Sequence, residues 1–329
     1  MSSIDSDSPK HPPYDPEVLP ALKKVRSLFP RFTEENLPAI RALLADGFPG
    51  MPPFDLTLGG EVATNRVTVP ASDGRPDLEL LVLSPANGVG PWPAVYHMHG
   101  GGMIAGNARG GVDELVDLVA DVGVVVVSPE YRLAPENPDP APVDDCYAGL
   151  VWTARHATEL GIDPDRIMIF GGSAGGGLAA GTALLARDRG FPTLTHQVLS
   201  SPMLDDRFTT KSSQELDGEG MWDRNENRFG WTALLGERRG GPDVSIYSAP
   251  ARATDLSGLP KTYVDCGSVE TFRDEAIDYA QRLLQAGVSV DLHIWGGGFH
   301  GFDFAALDAR IAILSVATRR EFLVRALTS

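Results

Sequence analysis

Short β-rich runs alternate with helical patterns along most of this chain, and that alternation limits the possible folds more than any other feature of the sequence. The predicted strands are residues 66–70, 78–83, 94–97, 122–128, 166–170, 197–200, 262–265 and 288–294. The predicted helices in the intervals are residues 145–160, 174–189, 274–286 and 306–327. Runs such as VGVVVVS and RIMIF are apolar almost throughout, as strands buried on both faces require. The pattern predicts an α/β fold with a mostly parallel central sheet flanked by helices.

The first 60 residues have helical rather than extended spacing. Apolar residues recur every three or four positions at Val18, Leu22 and Val25, and again at Leu37 and Ile40, which predicts two amphipathic helices. The Pro- and Gly-rich stretch FPGMPPFDLTLGG then marks a boundary. We therefore expect an N-terminal helical cap at residues 1–60 and the main α/β domain at residues 61–329. An insertion at about residues 204–250 breaks the alternation and is expected to contribute to the cap.

Charge and composition exclude several classes of protein. The chain has 28 basic and 44 acidic residues, a formal net charge of −16, and no cluster of Lys and Arg that could neutralise a row of phosphates, so we expect no nucleic-acid partner. The polar, acidic opening and the absence of any long apolar stretch predict a soluble cytoplasmic protein without membrane insertion. Cys146 and Cys266 stand outside any disulfide or metal-binding spacing and are expected to be inert.

Ser173 has the sequence surroundings of a nucleophile. The segment GGSAGG at residues 171–176 directly follows the strand RIMIF and opens a helix. A nucleophile elbow needs such a strand, a sharp turn and a helix, with glycines two positions either side of the serine to avoid clashes. Two alternative interpretations of this glycine-rich segment are a tight turn without chemistry and a dinucleotide-binding GxGxxA motif at residues 175–180. The second is disfavoured because its glycines fall inside the helix rather than in the turn.

A second glycine-rich loop, HGGG at residues 99–102, ends the predicted strand at residues 94–97. Acyl transfer builds negative charge on a carbonyl oxygen, and each preorganised N–H donor stabilises that charge by about 3–4 kcal/mol. We assign this oxyanion hole to the backbone amides of Gly101, Gly102 and Ala174. His97 and His99 share one side of the strand and could bind a metal, but no Cys or carboxylate nearby completes a ligand set. We expect His99 to anchor the loop and His97 to be structural.

A serine nucleophile needs a neutral imidazole as its base and a carboxylate that orients the imidazole. His300 lies in the loop GGGFHGF after the last predicted strand, where it can reach the carboxyl-terminal edge of the sheet. Glu270 lies in the loop just after the strand at residues 262–265 and is the preferred acid. Asp274 is its main competitor, although it also suits the first turn of the next helix, and Asp265 is a weaker one.

These motifs together resemble the bacterial esterases that are similar to mammalian hormone-sensitive lipase. The matching segments are HGGG, YRLAPE at residues 131–136, the elbow, RDE at residues 273–275 and FHGF at residues 299–302, and the order of serine, acid and histidine also fits. The resemblance implies an α/β-hydrolase fold with an N-terminal helical cap, hydrolysis of short-chain carboxylic esters as a serine carboxylesterase, no cofactor and a possible homodimer. The expected catalytic residues are Ser173, Glu270 and His300.

The chain departs from this family at two positions. Gly172 replaces the usual Asp or Thr before the nucleophile, and Glu270 with Thr271 and Phe272 replaces a common Asp-Pro-Leu segment. An amidase or a lactonase could use the same catalytic groups. A ligand-binding protein that has lost its chemistry is the alternative outside the enzymes, although such proteins usually lack a member of the triad.

Overall fold

The computed structural model describes residues 11–45, 54–72 and 74–329. The acidic opening of the chain at residues 1–10, and residues 46–53 of the expected boundary region, lie outside the described residues. The strands of the described chain are β1 (Val62–Val69), β2 (Leu78–Pro85), β3 (Trp92–Met98), β4 (Val125–Pro129), β5 (Ile162–Gly172), β6 (His196–Ser200), β7 (Lys261–Val269) and β8 (Val290–Phe299).

These strands form an eight-stranded sheet in the order β1-β2-β4-β3-β5-β6-β7-β8. Strand β2 pairs antiparallel with both β1 and β4, and every other neighbouring pair is parallel. Each predicted strand has its counterpart here. The predicted α/β fold with a mostly parallel sheet is confirmed.

Helices cover both faces of the sheet. In chain order they are α1 (Leu19–Leu28), α2 (Leu37–Leu44), α3 (Asp113–Asp121), α4 (Ala141–Arg155), α5 (Ala174–Arg189), α6 (Ser212–Glu215), α7 (Arg224–Leu235), α8 (Arg273–Gln285), α9 (Phe302–Ala305) and α10 (Arg310–Thr328). The helix predicted at residues 306–327 corresponds to α10, which begins only at Arg310. Helices α3, α6, α7 and α9 have no counterpart among the predicted helices.

The valines at residues 124–127, in and just before strand β4, show why the central strands contain long apolar runs. Val125 and Val127 belong to the core cluster that contains residues of α4, α5 and α8. Val124 and Val126 belong to the cluster on the other face, with residues of α3 and α10. Because successive side chains of a strand point to opposite faces, a sheet covered on both sides requires an unbroken apolar run.

The N-terminal helices lie beside the 204–250 insertion. Arg31, which follows α1, donates to Glu226 of α7 at 2.8 Å, and Glu226 is only 1% exposed. Val18 and Leu22 pack in a third cluster with Phe299, next to the loop that carries His300. No helix in the described part of the chain is both long and apolar enough to cross a bilayer.

Candidate active site

Ser173 stands at the sharp turn between strand β5 and helix α5. Its φ of 57° and ψ of −122° lie outside the regions that residues other than glycine normally adopt. The turn is tight on both sides: a Cβ at Gly171 would lie 2.1 Å from Gly175 O, and a Cβ at Gly175 would lie 2.0 Å from Met98 O. Two glycines are therefore required for the strand and the helix to meet at this serine.

The imidazole of His300 contacts the hydroxyl of Ser173 at this turn. His300 Nε2 lies 2.9 Å from Ser173 Oγ, although 127 residues separate them in the sequence. His300 follows the end of β8, and the next residue, Gly301, has a φ of 76° that turns the chain into α9. The imidazole packs edge-on against Phe272, with ring centroids 5.1 Å apart. These contacts hold the ring with one nitrogen toward the hydroxyl.

Glu270 is buried behind the imidazole, just past the end of β7. Its Oε1 lies 3.5 Å from His300 Nδ1, and within the described residues neither atom has a hydrogen-bond partner. Its Oε2 accepts hydrogen bonds from Ser201 Oγ at 2.9 Å and from Gly267 N at 3.2 Å. The carboxylate is thus fixed on one oxygen and directs the other toward the ring.

The HGGG loop closes the site from the side of β3. A Cβ at Gly100 would lie 3.4 Å from the Cβ of Ser173, which shows how closely the loop approaches the turn. Gly101 and Gly102 have φ angles of 110° and 64°. Within the described part of the chain, neither of their amides donates a hydrogen bond. Ala174, the first residue of α5, is completely buried beside them.

A family model described as the alpha/beta hydrolase fold matches residues 95–304, which is more than half of the chain. The chain belongs to the α/β-hydrolase family. The match begins in β3 and extends into α9, so it contains the serine turn, the glycine loop, the buried carboxylate and the imidazole.

Several relatives of this α/β-hydrolase bear the names of esterases. Carboxylesterase NlhH of Mycobacterium tuberculosis is 36% identical, and the match covers 87% of this chain and 89% of the relative. The solved structure of a bacterial heroin esterase is 40% identical over 96% of this chain and 98% of that one, with a TM-score of 0.86. Esterase LipW of Mycobacterium marinum is 32% identical over 97% and 99% of the two chains, with a TM-score of 0.79. The expected esterase family, hydrolase fold and enzyme class, a serine carboxylesterase, are confirmed.

The carboxylates that competed with Glu270 in the sequence have other partners in this α/β-hydrolase. Asp274 accepts from Arg273 at 2.7 Å and from the backbone of Ser212 at 2.8 Å. Asp265 accepts from the buried Arg319 at 2.9 Å, and burial raises its pKa. Of the three candidates, the structure brings Glu270 to the imidazole.

Histidines 97 and 99 have structural contacts. His99 Nδ1 donates to Gly100 O at 2.7 Å, and its ring stacks on Tyr131 with centroids 4.1 Å apart. His97 Nδ1 lies 3.2 Å from Ser128 Oγ. Burial lowers the pKa of His99 to about 4 and that of His97 to about 3, so both rings are neutral near pH 7. The described residues include no cluster of three His, Cys, Asp or Glu side chains able to hold a metal.

The YRLAPE loop, residues 131–136, contacts the HGGG loop and the residues just after it. Arg132 forms a two-pronged ion pair with the buried Asp145, with both N–O distances 2.8 Å. Tyr131 donates from its hydroxyl to His99 O at 2.8 Å, and Ala134 N donates to Met103 O at 2.9 Å. The segment thus contacts the residues of and just after the HGGG loop through its backbone and through Tyr131.

The departure at Gly172 leaves open space. A Cβ built there would meet only Ser200 O, at the ordinary contact distance of 3.9 Å. The turn therefore does not need glycine at this position, in contrast to Gly171 and Gly175. Sequence patterns did not indicate Ser201 or Arg41, whose contacts with the site depend on the approach of distant segments.

Proposed function

We propose that this carboxylesterase hydrolyses short-chain carboxylic esters through an acyl-enzyme intermediate on Ser173. The proposed groups are Ser173 as nucleophile, His300 as base, Glu270 as orienting acid, and the amides of Gly101, Gly102 and Ala174 as oxyanion donors. The observation that carries the proposal is the 2.9 Å contact between His300 Nε2 and the hydroxyl of a serine with strained backbone. No cofactor is part of the proposed reaction.

In the first half of the reaction, Ser173 Oγ attacks the carbonyl carbon of the ester while His300 Nε2 accepts the hydroxyl proton. The carbonyl oxygen becomes an oxyanion, which the amides of Gly101, Gly102 and Ala174 stabilise by hydrogen bonding. When the tetrahedral intermediate collapses, the bond to the alkoxy group breaks and the imidazolium gives its proton to the leaving alcohol. The acyl group remains on Ser173.

In the second half, His300 Nε2 accepts a proton from a water molecule as the water oxygen attacks the acyl carbon. Collapse of this second intermediate returns the proton to Ser173 and releases the carboxylic acid. The Glu270 carboxylate stabilises the imidazolium in both halves. A shortening of the 3.5 Å separation between Nδ1 and Oε1 would form the orienting hydrogen bond, because neither atom has another partner in the described structure.

Preference for small acyl groups is supported by the cap. We assign the cap to residues 1–60 together with the insertion at about residues 204–250, and the α/β core to residues 61–329. Trp222 of the insertion packs over the HGGG loop, which carries the proposed oxyanion donors (the oxyanion loop). A Cβ at Gly102 would lie only 2.5 Å from Trp222 Cη2. The indole also packs against Phe32 of the N-terminal segment, with ring centroids 5.4 Å apart. This arrangement limits the space beside the reacting carbon.

The decisive experiment is covalent labelling with a fluorophosphonate together with p-nitrophenyl ester hydrolysis. The wild-type enzyme should be labelled at Ser173 and should hydrolyse the ester, whereas Ser173→Ala should do neither. Ser213→Ala is the matched control, because the buried Ser213 hydroxyl donates only to the backbone oxygen of Thr210. A wild-type protein that is not labelled would point to a ligand-binding protein. Faster cleavage of a matched amide or lactone than of the ester would point to an amidase or a lactonase.

We also propose that the enzyme is a cytoplasmic homodimer that pairs through the free edge of its sheet. Strand β8 ends the strand order, and its Leu292 and Ile294 are each 37% exposed. Leu284 of the adjacent α8 is 53% exposed. Antiparallel pairing of two β8 strands about a twofold axis would cover this surface. Light scattering tests this interface: the wild type should be a dimer and Ile294→Lys a monomer. Cell fractionation tests the cytoplasmic location.

A further inference from the structure

Strand β6 ends at Ser200, and Ser200 and the next residue, Ser201, contact the nucleophile and the acid. Ser200 O accepts a hydrogen bond from Ser173 N at 2.8 Å, so the end of this strand holds the nucleophile turn. The next residue, Ser201, points its hydroxyl the other way and donates from Oγ to Glu270 Oε2 at 2.9 Å. Adjacent residues of one strand end thus contact two members of the proposed triad.

Ser201 has an unusual backbone as well. Its φ is 43°, in the left-handed region that residues other than glycine seldom adopt. Its amide donates to the backbone oxygen of Asp265, one strand away, at 2.6 Å. Strained residues are retained where the surrounding structure fixes them, and they occur preferentially at functional sites. In this conformation the hydroxyl reaches the carboxylate of Glu270.

The two carboxylate oxygens of Glu270 have different partners. Oε2 accepts from Ser201 Oγ and from Gly267 N, while Oε1 faces His300 Nδ1 at 3.5 Å. A carboxylate can rotate about its last bond, and two donors on one oxygen fix that rotation. The hydroxyl therefore controls which way the other oxygen points.

We propose that Ser201 is a positioning residue that orients Glu270 toward the catalytic imidazole. The inference rests on the proposed role of Glu270 in the triad. Ser201 takes no part in bond formation or cleavage. Its hydroxyl fixes the carboxylate and shares the negative charge through a charge-assisted hydrogen bond, which is stronger than a bond between neutral groups.

Loss of this hydroxyl should change both the rate and its pH dependence. Without the donor on Oε2, the carboxylate is free to rotate away from the ring, and the transition state loses part of its orienting contact. Oε1 then faces Nδ1 of His300 less of the time, which weakens its stabilisation of the protonated imidazole. The acid limb of the pH profile should therefore move to lower pH.

Ser201→Ala and Ser201→Gly form the test pair. Both remove the hydroxyl, but glycine adopts a φ of 43° without strain, so Ser201→Gly should be at least as stable as Ser201→Ala. For a p-nitrophenyl ester we expect kcat to fall about tenfold in both variants, with KM within about twofold of wild type. The midpoint of the acid limb of kcat/KM should fall by about 0.5 pH unit or more in both.

Ser213→Ala is the control for loss of a buried hydroxyl, and it should keep the wild-type kcat and pH profile. Wild-type kcat and an unmoved acid limb in Ser201→Gly would overturn the proposal, because the effect in Ser201→Ala would then reflect backbone strain alone. Failure of the proposed function itself would look different, since the wild-type enzyme would then neither hydrolyse the ester nor react with the fluorophosphonate.

Discussion

Arg41 and Glu136 form a two-pronged ion pair that joins helix α2 to the loop after strand β4, with N–O distances of 2.8 and 2.9 Å. The same guanidinium donates to Ile104 O at 2.6 Å and to Ala134 O at 2.7 Å. Ile104 N in turn donates to Gly101 O at 3.1 Å. One side chain of the N-terminal segment is therefore bonded to the loop that carries the proposed oxyanion donors.

We expect Arg41→Gln to lower kcat about tenfold, because the backbone at Ile104, just after the HGGG loop, and the backbone at Ala134 each lose the donor that fixes them. Arg41→Lys should recover only part of the rate, since an ammonium cannot form the same planar fork. Steady-state kinetics with a p-nitrophenyl ester measures both. The control is Arg66→Gln, which removes an exposed ion pair with Glu79 on strands β1 and β2. Equal rates in Arg41→Gln and the control would contradict the coupling.

The serine turn makes a sharp prediction about its glycines. Gly172→Ala should keep the fold and retain activity within about twofold, because the added Cβ meets only Ser200 O at 3.9 Å. Gly171→Ala adds the same methyl group one residue earlier, where it would lie 2.1 Å from Gly175 O. That clash should abolish activity and lower the thermal midpoint. Equal loss in the two variants would show that the turn excludes every side chain.

The sheet was predictable because its signals are local in the sequence. A strand that is buried on both faces must be apolar at each position, as the valines at 124–127 are, and this is visible without a structure. The exact ends were not predictable: β8 runs to Phe299 because its last residues remain paired with β7, a tertiary contact. Helix α3 was missed because its apolar residues, such as Val116 and Val119, lead directly into the apolar strand segment predicted from Val122, so the sequence marks no clear boundary between them.

For the site, sequence motifs indicated the residues whose chemistry and loop context are both distinctive. Ser173 and His300 were of this kind, and the structure brings them together. Glu270 competed with two other acids because the choice depends on which carboxylate faces the ring. Ser201 and Arg41 carry no motif, since their contacts lie 69 and 63 residues away in the chain. Such partners become visible only when the packing of distant loops is known.

His97 predicts how stability depends on pH. Burial, and next the nearby His99, lower the pKa of His97 from its usual 6.5 to about 3. The folded protein therefore keeps this ring neutral where the unfolded chain binds a proton, so the free energy of unfolding falls as the pH drops from about 6.5 toward 3. Between pH 7 and pH 5, the contribution of this one ring amounts to about 2 kcal/mol.

The measurement is urea unfolding of wild type and His97→Gln at pH 7 and at pH 5. The variant removes the titrating group and is expected to be less stable at pH 7, because it loses the stacking on Phe170. Its further loss between the two pH values should be about 2 kcal/mol smaller than that of wild type. An identical loss in both proteins would mean that His97 is not kept neutral by the fold.

Trp222 should set the acyl chain length that the enzyme accepts. It is 6% exposed and packs between Phe32 and the oxyanion loop, so Trp222→Ala opens space where a longer acyl chain could lie. We expect the ratio of kcat/KM for p-nitrophenyl octanoate to that for the acetate to rise at least about tenfold. A ratio within one enzyme preparation is insensitive to the fraction that is folded. Trp152→Ala is the control, because the Trp152 indole stacks on His156 at the C-terminal end of helix α4. If both variants keep the wild-type ratio, the indole does not limit the acyl pocket, and another part of the cap must do so.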